Sequence, residues 1–248
     1  MIALPLLSPD QIHEIERLLG EVYQISPRQR MENAGHQLAL LAKRWLDNDM
    51  VDRPLVVLAG RGKKGGCGLV AARYLLAWGA WAQVVLTHPP EVYAGLPAQQ
   101  LAALQALDAP LAWAEEGWEL PPTDLVIDAL VGSGLHGEPA GKVRDLMQLA
   151  NSSAASILSL DAPSGLDPTT GQLATPHVQA AATLLLTLPS SHLISEAGSN
   201  ACGKLYLAAS GVPSQLYARL GLALPPLLAR DSIVPLDVVE GMVMISDE

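Results

Sequence analysis

The chain contains no phenylalanine, and aromatic residues make up only 4% of its 248 residues. Apolar residues nevertheless account for half of the sequence, so leucine, alanine and valine must fill the core. A disordered chain would be poor in these aliphatic residues, and the composition therefore indicates a folded protein. The length allows one large α/β domain or at most two small ones, and we treat residues 1–248 as a single domain.

Cysteine and positive charge are also scarce. Cys67 and Cys202 are the only two cysteines, too few for a disulfide framework or a zinc-ligand cluster. We expect both to be inert thiols in a reducing compartment. The formal net charge of −10 disfavours binding to nucleic acid or to anionic membranes, because either polyanion would be repelled.

The sequence has no segment typical of export or membrane insertion. Its first residues lack a basic region followed by a long apolar stretch, so no signal peptide is indicated. No uncharged apolar run reaches the roughly 18 residues that a membrane span requires. We therefore expect a cytoplasmic protein that binds neither membrane nor nucleic acid.

Two segments near the amino terminus carry the same helix-start signature. Ser8-Pro9-Asp10-Gln11 and Ser26-Pro27-Arg28-Gln29 each offer a serine N-cap, proline at the first helical position and glutamine at the third. The pattern predicts helices that end at about Val22 and about Trp45.

From Pro54 onward, short apolar runs alternate with helical stretches. The predicted strands are residues 55–58, 82–86, 125–128, 156–160, 183–187 and 204–207, and helices are predicted at 68–78 and 97–107. This alternation predicts a three-layer α/β/α Rossmann-like sandwich with a mostly parallel central sheet and N-terminal helices. Since ligands bind at the carboxyl ends of such strands, the loops after Leu58, Ile127 and Leu160 should hold the site.

A glycine-rich loop follows the first of these strands. Gly60-Arg61-Gly62-Lys63-Lys64-Gly65 matches the GxGxxG pattern, but Leu86-Thr87-His88-Pro89-Pro90 lacks the acidic residue that would hold a ribose. A conventional NAD dehydrogenase is therefore not predicted. Backbone N–H groups, a helix N-terminus and three cationic side chains favour an anion or phosphate site. The alternative is a solvated surface turn with flexible lysines.

Four blocks in a fixed order resemble a known protein family. They are Met31-Glu32-Asn33-Ala34-Gly35, the glycine segment at residues 60–68, Val126-Ile127-Asp128-Ala129-Leu130-Val131-Gly132-Ser133-Gly134-Leu135 and Asp161-Ala162-Pro163-Ser164-Gly165-Leu166-Asp167. The blocks resemble the NAD(P)H-hydrate epimerases, also called the YjeF N-terminal domain family. The resemblance covers about residues 8–217 and leaves residues 218–248 as a C-terminal extension.

The resemblance implies an isomerase of nicotinamide cofactor repair. Such an enzyme interconverts the R and S epimers of hydrated NADH and NADPH, called NADHX and NADPHX, or binds a related nucleotide. It works beside an ADP- or ATP-dependent dehydratase, which would here be a separate protein, and a homodimer is an expectation of the same kind. The family also binds a potassium ion near the substrate.

The resemblance further implies roles for individual residues. Asp161 matches the aspartate that contacts substrate and is the acid/base candidate, and Asp128 and Ser164 match the potassium ligands. Asn33 lies in the helix block that faces the site. The matching substrate-binding loop consists of Gly132, Ser133, Gly134, Leu135, His136, Gly137 and Glu138. An alternative for either aspartate is a turn-capping role, which is common at strand ends.

The glycine segment departs from the family pattern. Where the family reads Asn-Asn-Gly-Gly-Asp, this chain has the substrate-binding candidates Lys63, Lys64, Gly65, Gly66 and Cys67. Lys64 stands where the family has an asparagine ligand of potassium, and an ammonium has no lone pair to donate to a metal. Our hypothesis is that Lys64 takes the place of the cation and pairs with Asp128.

The roles of three side chains in or near the matched blocks remain open. His192 could donate a proton near neutral pH, or it could be an ordinary loop histidine, and His136 has the same ambiguity. Cys67 could be a reactive thiol at a helix N-terminus or a plain small-residue replacement.

Two functions from different classes therefore compete. The first is an active epimerase with altered cation dependence. The second is a catalytically silent nucleotide-binding or scaffolding module that keeps the fold.

Overall fold

Strands and helices alternate along most of the chain. The computed structural model describes residues 3–115, 117–135, 137–222, 224, 228 and 231–246. The strands are β1 (Ala3–Leu4), β2 (Pro54–Ala59), β3 (Trp81–Leu86), β4 (Leu111–Trp113), β5 (Leu125–Ala129), β6 (Ser156–Leu160), β7 (Ala182–Leu185), β8 (Lys204–Ala208), β9 (Ile233–Val239) and β10 (Met242–Ile245). The helices are α1 (Pro9–Glu21), α2 (Pro27–Trp45), α3 (Lys63–Ala77), α4 (Gly95–Ala106), α5 (Gly141–Ser152), α6 (Glu196–Cys202) and α7 (Ser214–Arg219).

The strands form one sheet in the order β1-β10-β9-β8-β7-β6-β5-β2-β3-β4. The seven strands from β2 to β8 pair in parallel, which confirms the mostly parallel sheet that the sequence predicts. The chain runs from β2 outward through β3 to β4 and then returns to place β5 on the other side of β2. The loops that leave β2 and β5 therefore diverge, and ligands of open α/β sheets bind at such a switch point.

The C-terminal extension, to which the sequence assigns no role, contributes to the sheet. β9 pairs antiparallel with β8, β10 pairs antiparallel with β9, and β1 from the amino terminus pairs with β10. Val234, Leu236 and Val243 are buried and pack in the same cluster as apolar residues of α1. Strand β1 and the β9–β10 pair thus extend the sheet beyond the parallel strands.

Helices cover both faces of the sheet. The apolar residues of α2, α3 and α4 pack on one face, and those of α5, α1 and α7 pack on the other. Both predicted capping boxes are present, because Ser8 pairs with Gln11 and Ser26 pairs with Gln29. The two N-terminal helices consequently begin where the sequence predicts. No helix in the described part of the chain is both long and apolar enough to cross a bilayer.

Helix α3 begins earlier than predicted. It starts at Lys63 rather than at about residue 68, so the lysines and glycines expected in a loop form its first turns. A Cβ on Gly65 would lie 1.7 Å from the carbonyl oxygen of Gly60, and one on Gly68 would lie 2.4 Å from Cβ of Ala129. The glycines therefore let α3 pack tightly on β2 and β5, which offsets their low helix propensity.

Candidate active site

The carboxyl ends of β5 and β6 and the first turn of α3 meet at the switch point. Asp128 lies in the last part of β5, Asp161 directly follows β6, and Lys64 is the second residue of α3. Ser164 lies three residues after Asp161, in the loop that folds back toward β5. The structure thus brings together four side chains that the sequence singles out.

Asp128 is fully buried, and both of its carboxylate oxygens accept hydrogen bonds. Oδ2 accepts from the Ser159 hydroxyl and from the Ser164 backbone N–H, both at 2.8 Å. Oδ1 accepts from the Ser164 hydroxyl at 2.5 Å and from the Leu130 backbone N–H at 3.2 Å. The carboxylate consequently ties the end of β5 to β6 and to the loop after β6.

The ammonium group of Lys64 completes this network. Its Nζ lies 2.9 Å from Oδ2 of Asp128, 2.8 Å from the Ala162 carbonyl oxygen and 2.9 Å from Oγ of Ser164. The Lys64 side chain is only 8% exposed and that of Asp128 is not exposed at all. An ammonium has three N–H donors, and three oxygens are available to accept them.

The electrostatics of Asp128 follow from these contacts. Burial alone would raise the pKa of its carboxyl, but the Lys64 charge and the hydrogen bonds from Ser164 and Lys64 outweigh it, so the pKa lies below its ordinary value. The carboxylate is therefore ionised across the neutral range and remains paired with the lysine.

Asp161 lies in a different environment. It adopts a left-handed backbone with φ of 64°, and its N–H donates to the Leu184 carbonyl oxygen at 2.7 Å. The residue is exposed, and it lines a crevice whose other walls are mostly apolar side chains. Desolvation is the largest influence on Asp161 and raises the pKa of its carboxyl, and the charge of Glu16 raises it further. A backbone hydrogen bond at Leu186 and the Lys64 charge lower the pKa, but they do not outweigh the rise.

The crevice beside Asp161 is small and mostly apolar. Its volume is about 30 Å³, and it is lined by Asp161, Ile12, Pro168, Leu185, Thr187, Leu188, Ser190 and Leu193. Tyr217 lies close by, and burial together with the Asp161 charge raises the pKa of its phenol to about 12. A carboxylate at an apolar crevice with access to solvent is suited to proton transfer.

The beginning of α3 offers groups that favour an anion. Its N-cap, Gly62, makes no side-chain cap hydrogen bond, so the first N–H groups of the helix lack intrahelical acceptors. Arg61 and Lys63 are exposed there. These features are consistent with the predicted phosphate site, and they fit the solvated-turn alternative equally well.

The predicted substrate-binding loop, residues 132–138, lies next to Lys64. A Cβ on Gly132 would lie 3.9 Å from Cβ of Lys64. Ser133, Gly134, Gly137 and Glu138 are exposed, Leu135 is half-buried, and His136 lies outside the described residues. The Glu138 carboxylate accepts a hydrogen bond from the Thr175 backbone N–H.

Helix α2 contributes the block around Asn33. Asn33 is half-buried, and its Oδ1 is a buried atom without a hydrogen-bond partner in the described part of the chain. Met31 of the same block is buried and packs where a Cβ on Gly66 would lie. The small size of Gly66 therefore leaves room for the end of the Met31 side chain between α2 and α3.

Cys67 has the character of a core residue. It is 7% exposed, and burial together with the Asp161 charge raises the pKa of its thiol to about 12. A thiol with so high a pKa is almost wholly protonated at neutral pH, and the thiolate is the reactive species. These values favour the plain small-residue replacement over a reactive thiol. Cys202 is likewise buried with a pKa raised to about 12.

Within the described residues, His192 forms no hydrogen bond with the Asp128 network. Its ring packs against Gly171, where a Cβ would lie 2.8 Å from Nδ1, whereas the neighbouring Leu193 lines the crevice. This placement favours an ordinary loop histidine.

Sequence reasoning missed several groups that complete the site. Ser159 is a fully buried hydroxyl within β6, and it donates to Asp128. The Ala162 carbonyl and Tyr217 were missed as well. A serine inside the apolar run Ile157-Leu158-Ser159-Leu160 was a usable signal, because a buried hydroxyl requires a partner. A backbone carbonyl has no such signal.

The residues present do not fit the potassium ion that the resemblance implies. The oxygens of Asp128 and Ser164 that would surround it instead accept hydrogen bonds from Nζ of Lys64. Lys64 itself supplies no lone pair, unlike an asparagine at that position. In the part of the chain that the structure describes, no group of three or more His, Cys, Asp or Glu side chains could hold a metal ion.

The fold is that of an α/β protein whose candidate site lies at the switch point of a parallel sheet. The sequence profile of the family described as YjeF-related protein N-terminus matches residues 27–191, more than half of the chain. The chain therefore belongs to the family of YjeF-related N-terminal domains, as its four sequence blocks predict.

Named relatives agree with this assignment. The NAD(P)H-hydrate epimerase of Truepera radiovictrix is 34% identical over 216 residues, which cover 87% of this chain and 94% of that protein. The NAD(P)H-hydrate epimerase of Dehalogenimonas lykanthroporepellens is 33% identical and covers 85% and 84%. The bifunctional NAD(P)H-hydrate repair enzyme Nnr of Moorella thermoacetica is 30% identical over 86% of this chain, which spans only 42% of that protein.

A solved structure has the same fold. The crystal structure of the yeast protein ynu0 superposes with a TM-score of 0.78 and covers 94% of this chain and all of that one. Its sequence identity is 24%, so the likeness bears on the fold alone.

Proposed function

We propose that this protein is an NAD(P)H-hydrate epimerase that interconverts the R and S epimers of NADHX and NADPHX. The observation that carries the proposal is Asp161, an exposed aspartate with a raised pKa at the carboxyl end of β6. Relatives named for this activity align with 85% or more of the chain and are covered over most of their own length.

Asp161 is the proposed acid/base residue. Epimerisation requires that a proton be taken up and returned, and a carboxyl serves best when its pKa is moved toward the working pH. The apolar crevice provides that environment, since desolvation raises the pKa of Asp161. The left-handed backbone directs the residue out of the strand at a position that asparagine and aspartate tolerate best.

The beginning of α3 is the proposed site for the substrate's phosphates. The free N–H groups of its first turn and the exposed Arg61 and Lys63 supply positive potential in an otherwise acidic chain. The exposed part of the 132–138 loop lies on the same side of the sheet and would contact the remainder of the nucleotide. Asn33 would contribute its unpartnered amide oxygen.

The partners proposed for this activity follow from its product. An ADP- or ATP-dependent dehydratase is the proposed partner that would consume the S epimer, as the family resemblance implies; this chain spans 42% of the bifunctional Moorella relative. We also propose a homodimer in the cytoplasm, on the strength of the family resemblance.

A second candidate is a silent nucleotide-binding or scaffolding module. Two observations favour it: the crevice beside Asp161 has a volume of only about 30 Å³, and Cys67 replaces a ligand-contacting aspartate of the family with a buried thiol. An epimerase would have to open this crevice when substrate binds.

A coupled assay separates the two candidates. Purified protein is mixed with R-NADHX and an S-specific dehydratase, and the return of NADH absorbance is compared with that of the same mixture without the protein, in potassium salt. We expect the protein to accelerate consumption of the R epimer. Folded protein that leaves the spontaneous rate unchanged would support the silent module instead.

A further inference from the structure

The Lys64 ammonium occupies a site built for a single positive charge. A buried carboxylate, a hydroxyl and a backbone carbonyl converge on Nζ within 2.8–2.9 Å, and the side chain is 8% exposed. Charged lysines are almost never buried unless they are paired. Here the pairing is complete, because each of the three N–H donors has an acceptor.

The three acceptors come from two separate parts of the chain. Asp128 belongs to β5, whereas Ala162 and Ser164 belong to the loop after β6, and Lys64 itself stands on α3. One tethered charge therefore joins three elements at the switch point. Without it, the Asp128 carboxylate would be buried without a counter-charge, which is costly.

Lys64 also fixes the backbone beside the proposed acid/base residue. Its bond to the Ala162 carbonyl holds the Ala162–Pro163 peptide, one residue beyond Asp161, whose φ is 64°. Lys64 thus acts on Asp161 as a positioning residue, through the backbone next to it.

We propose that Lys64 is a covalently attached substitute for a monovalent cation, so that this site needs no potassium for its structure or its activity. A second cation at the same oxygens would lie within a few ångströms of the ammonium and would be repelled. A tethered cation also cannot dissociate, so the stability it provides does not depend on salt composition, unlike that of a bound ion. Only the activity arm of the test below rests on the proposed function.

The test compares wild type with Lys64→Asn and Lys64→Met by thermal unfolding in potassium, sodium and choline chloride at equal ionic strength. Asparagine supplies an amide oxygen at the cation position, whereas methionine preserves length and supplies neither charge nor a strong donor. We expect the wild-type Tm to be the same in all three salts. Both variants should lose roughly 6–20 °C in choline chloride, because a buried charge has lost its partner.

Potassium should then distinguish the two variants. The Tm of Lys64→Asn should rise with the logarithm of the potassium concentration and less in sodium, whereas that of Lys64→Met should respond to neither ion. A wild-type Tm that rises specifically with potassium would overturn the proposal. So would a folded Lys64→Asn protein without a potassium response.

Two further measurements keep the proposal testable if the variants do not fold. Wild-type crystals soaked in rubidium chloride should show no anomalous peak at the oxygens around Nζ of Lys64, and a peak there would overturn the proposal. Wild-type epimerase turnover should stay within twofold when choline replaces potassium, and a larger loss would count against it. If turnover is absent in every salt while the Tm results hold, the proposed function fails and the tethered cation stands.

Discussion

Two aspartates at the ends of neighbouring strands have opposite environments. Asp128 at the end of β5 is fully buried and paired with Lys64, and the pKa of its carboxyl lies below the ordinary value. Asp161 at the end of β6 is exposed at a crevice and has no ion pair in the described part of the chain, and its pKa is raised. The ionised form of the same side chain is thus stabilised at one position and disfavoured at the other.

The two environments differ in the groups that the fold places around each carboxyl. The neighbourhood of Asp128 supplies hydroxyl, N–H and ammonium donors, so the ionised form is stabilised despite complete burial. The crevice around Asp161 is mostly apolar, so desolvation has the larger effect. We therefore propose a structural role for Asp128 and a catalytic role for Asp161. Variants in the two environments test this division.

The largest effect is expected from Asp128→Asn. The substitution keeps the size of the side chain but leaves the buried Lys64 ammonium without its counter-charge, which typically costs about 3–5 kcal/mol of unfolding free energy. Urea denaturation measures this loss. Asp145→Asn is the matched control, because Asp145 pairs with Arg144 on the surface and should change stability by less than about 0.5 kcal/mol. Equal effects of the two substitutions would remove the structural role of Asp128.

Gly68→Ala should have the next largest effect on the free energy of unfolding, because it disturbs only the packing of α3 against the end of β5. The new Cβ would lie 2.4 Å from Cβ of Ala129, so α3 would have to move away from the end of β5. Overpacking of this kind costs about 1–3 kcal/mol.

The control for Gly68→Ala is Gly20→Ala. Gly20 lies in α1 with nothing within 4 Å of a Cβ, so alanine should stabilise the protein there by up to about 1 kcal/mol. If Gly68→Ala is tolerated as well as this control, the packing of α3 on β5 is looser than the structure indicates.

Asp161→Asn should have the smallest effect on stability, and its sign should be the reverse of that of Asp128→Asn. Because the folded-state pKa of Asp161 is raised, ionisation costs the fold some stability at neutral pH, and the neutral amide avoids this cost. The variant should match or exceed wild type by less than about 1 kcal/mol, since the residue is exposed.

This gain has a defined pH dependence. It should be absent below the ordinary aspartate pKa of about 4, grow as the pH rises toward the raised folded-state pKa, and stay constant above it. Urea denaturation of both proteins at several pH values measures it. A variant that is less stable than wild type at pH 7 would mean that the hydrogen bond at Leu186 and the Lys64 charge stabilise the carboxylate by more than its desolvation costs.

Much of the fold could be predicted from periodicity and capping signals. The strand at residues 156–160 and the starts of α1 and α2 are confirmed as predicted. The predicted start of α3 was wrong, because the packing of Gly65 and Gly68 on neighbouring strands outweighs the low helix propensity of glycine. Helices α5, α6 and α7 and the β9–β10 pair were not predicted, and the shortest of these elements, α6 and α7, depend on tertiary contacts for their stability.

The candidate site was predicted only in part. Asp128, Asp161, Ser164 and Lys64 were identified from sequence blocks, and the structure brings them to one edge of the sheet. The contrast between the two aspartates could not be predicted, because it depends on groups distant in sequence. Ser159 and the Ala162 carbonyl reach the Asp128 network only through strand register and the fold of the loop after β6.

The most direct test of the division between the two aspartates is the epimerisation rate of Asp161→Asn. Pure R-NADHX is incubated with wild type or variant at equal concentrations of folded protein, and the two epimers are separated by chromatography over time. We predict that wild type brings the R epimer to the equilibrium mixture and that the variant is slower by roughly 10²–10⁴-fold, the usual contribution of a positioned acid/base group. A variant with undiminished rate and an unchanged Tm would contradict the account, because Asp161 would then have no part in the chemistry.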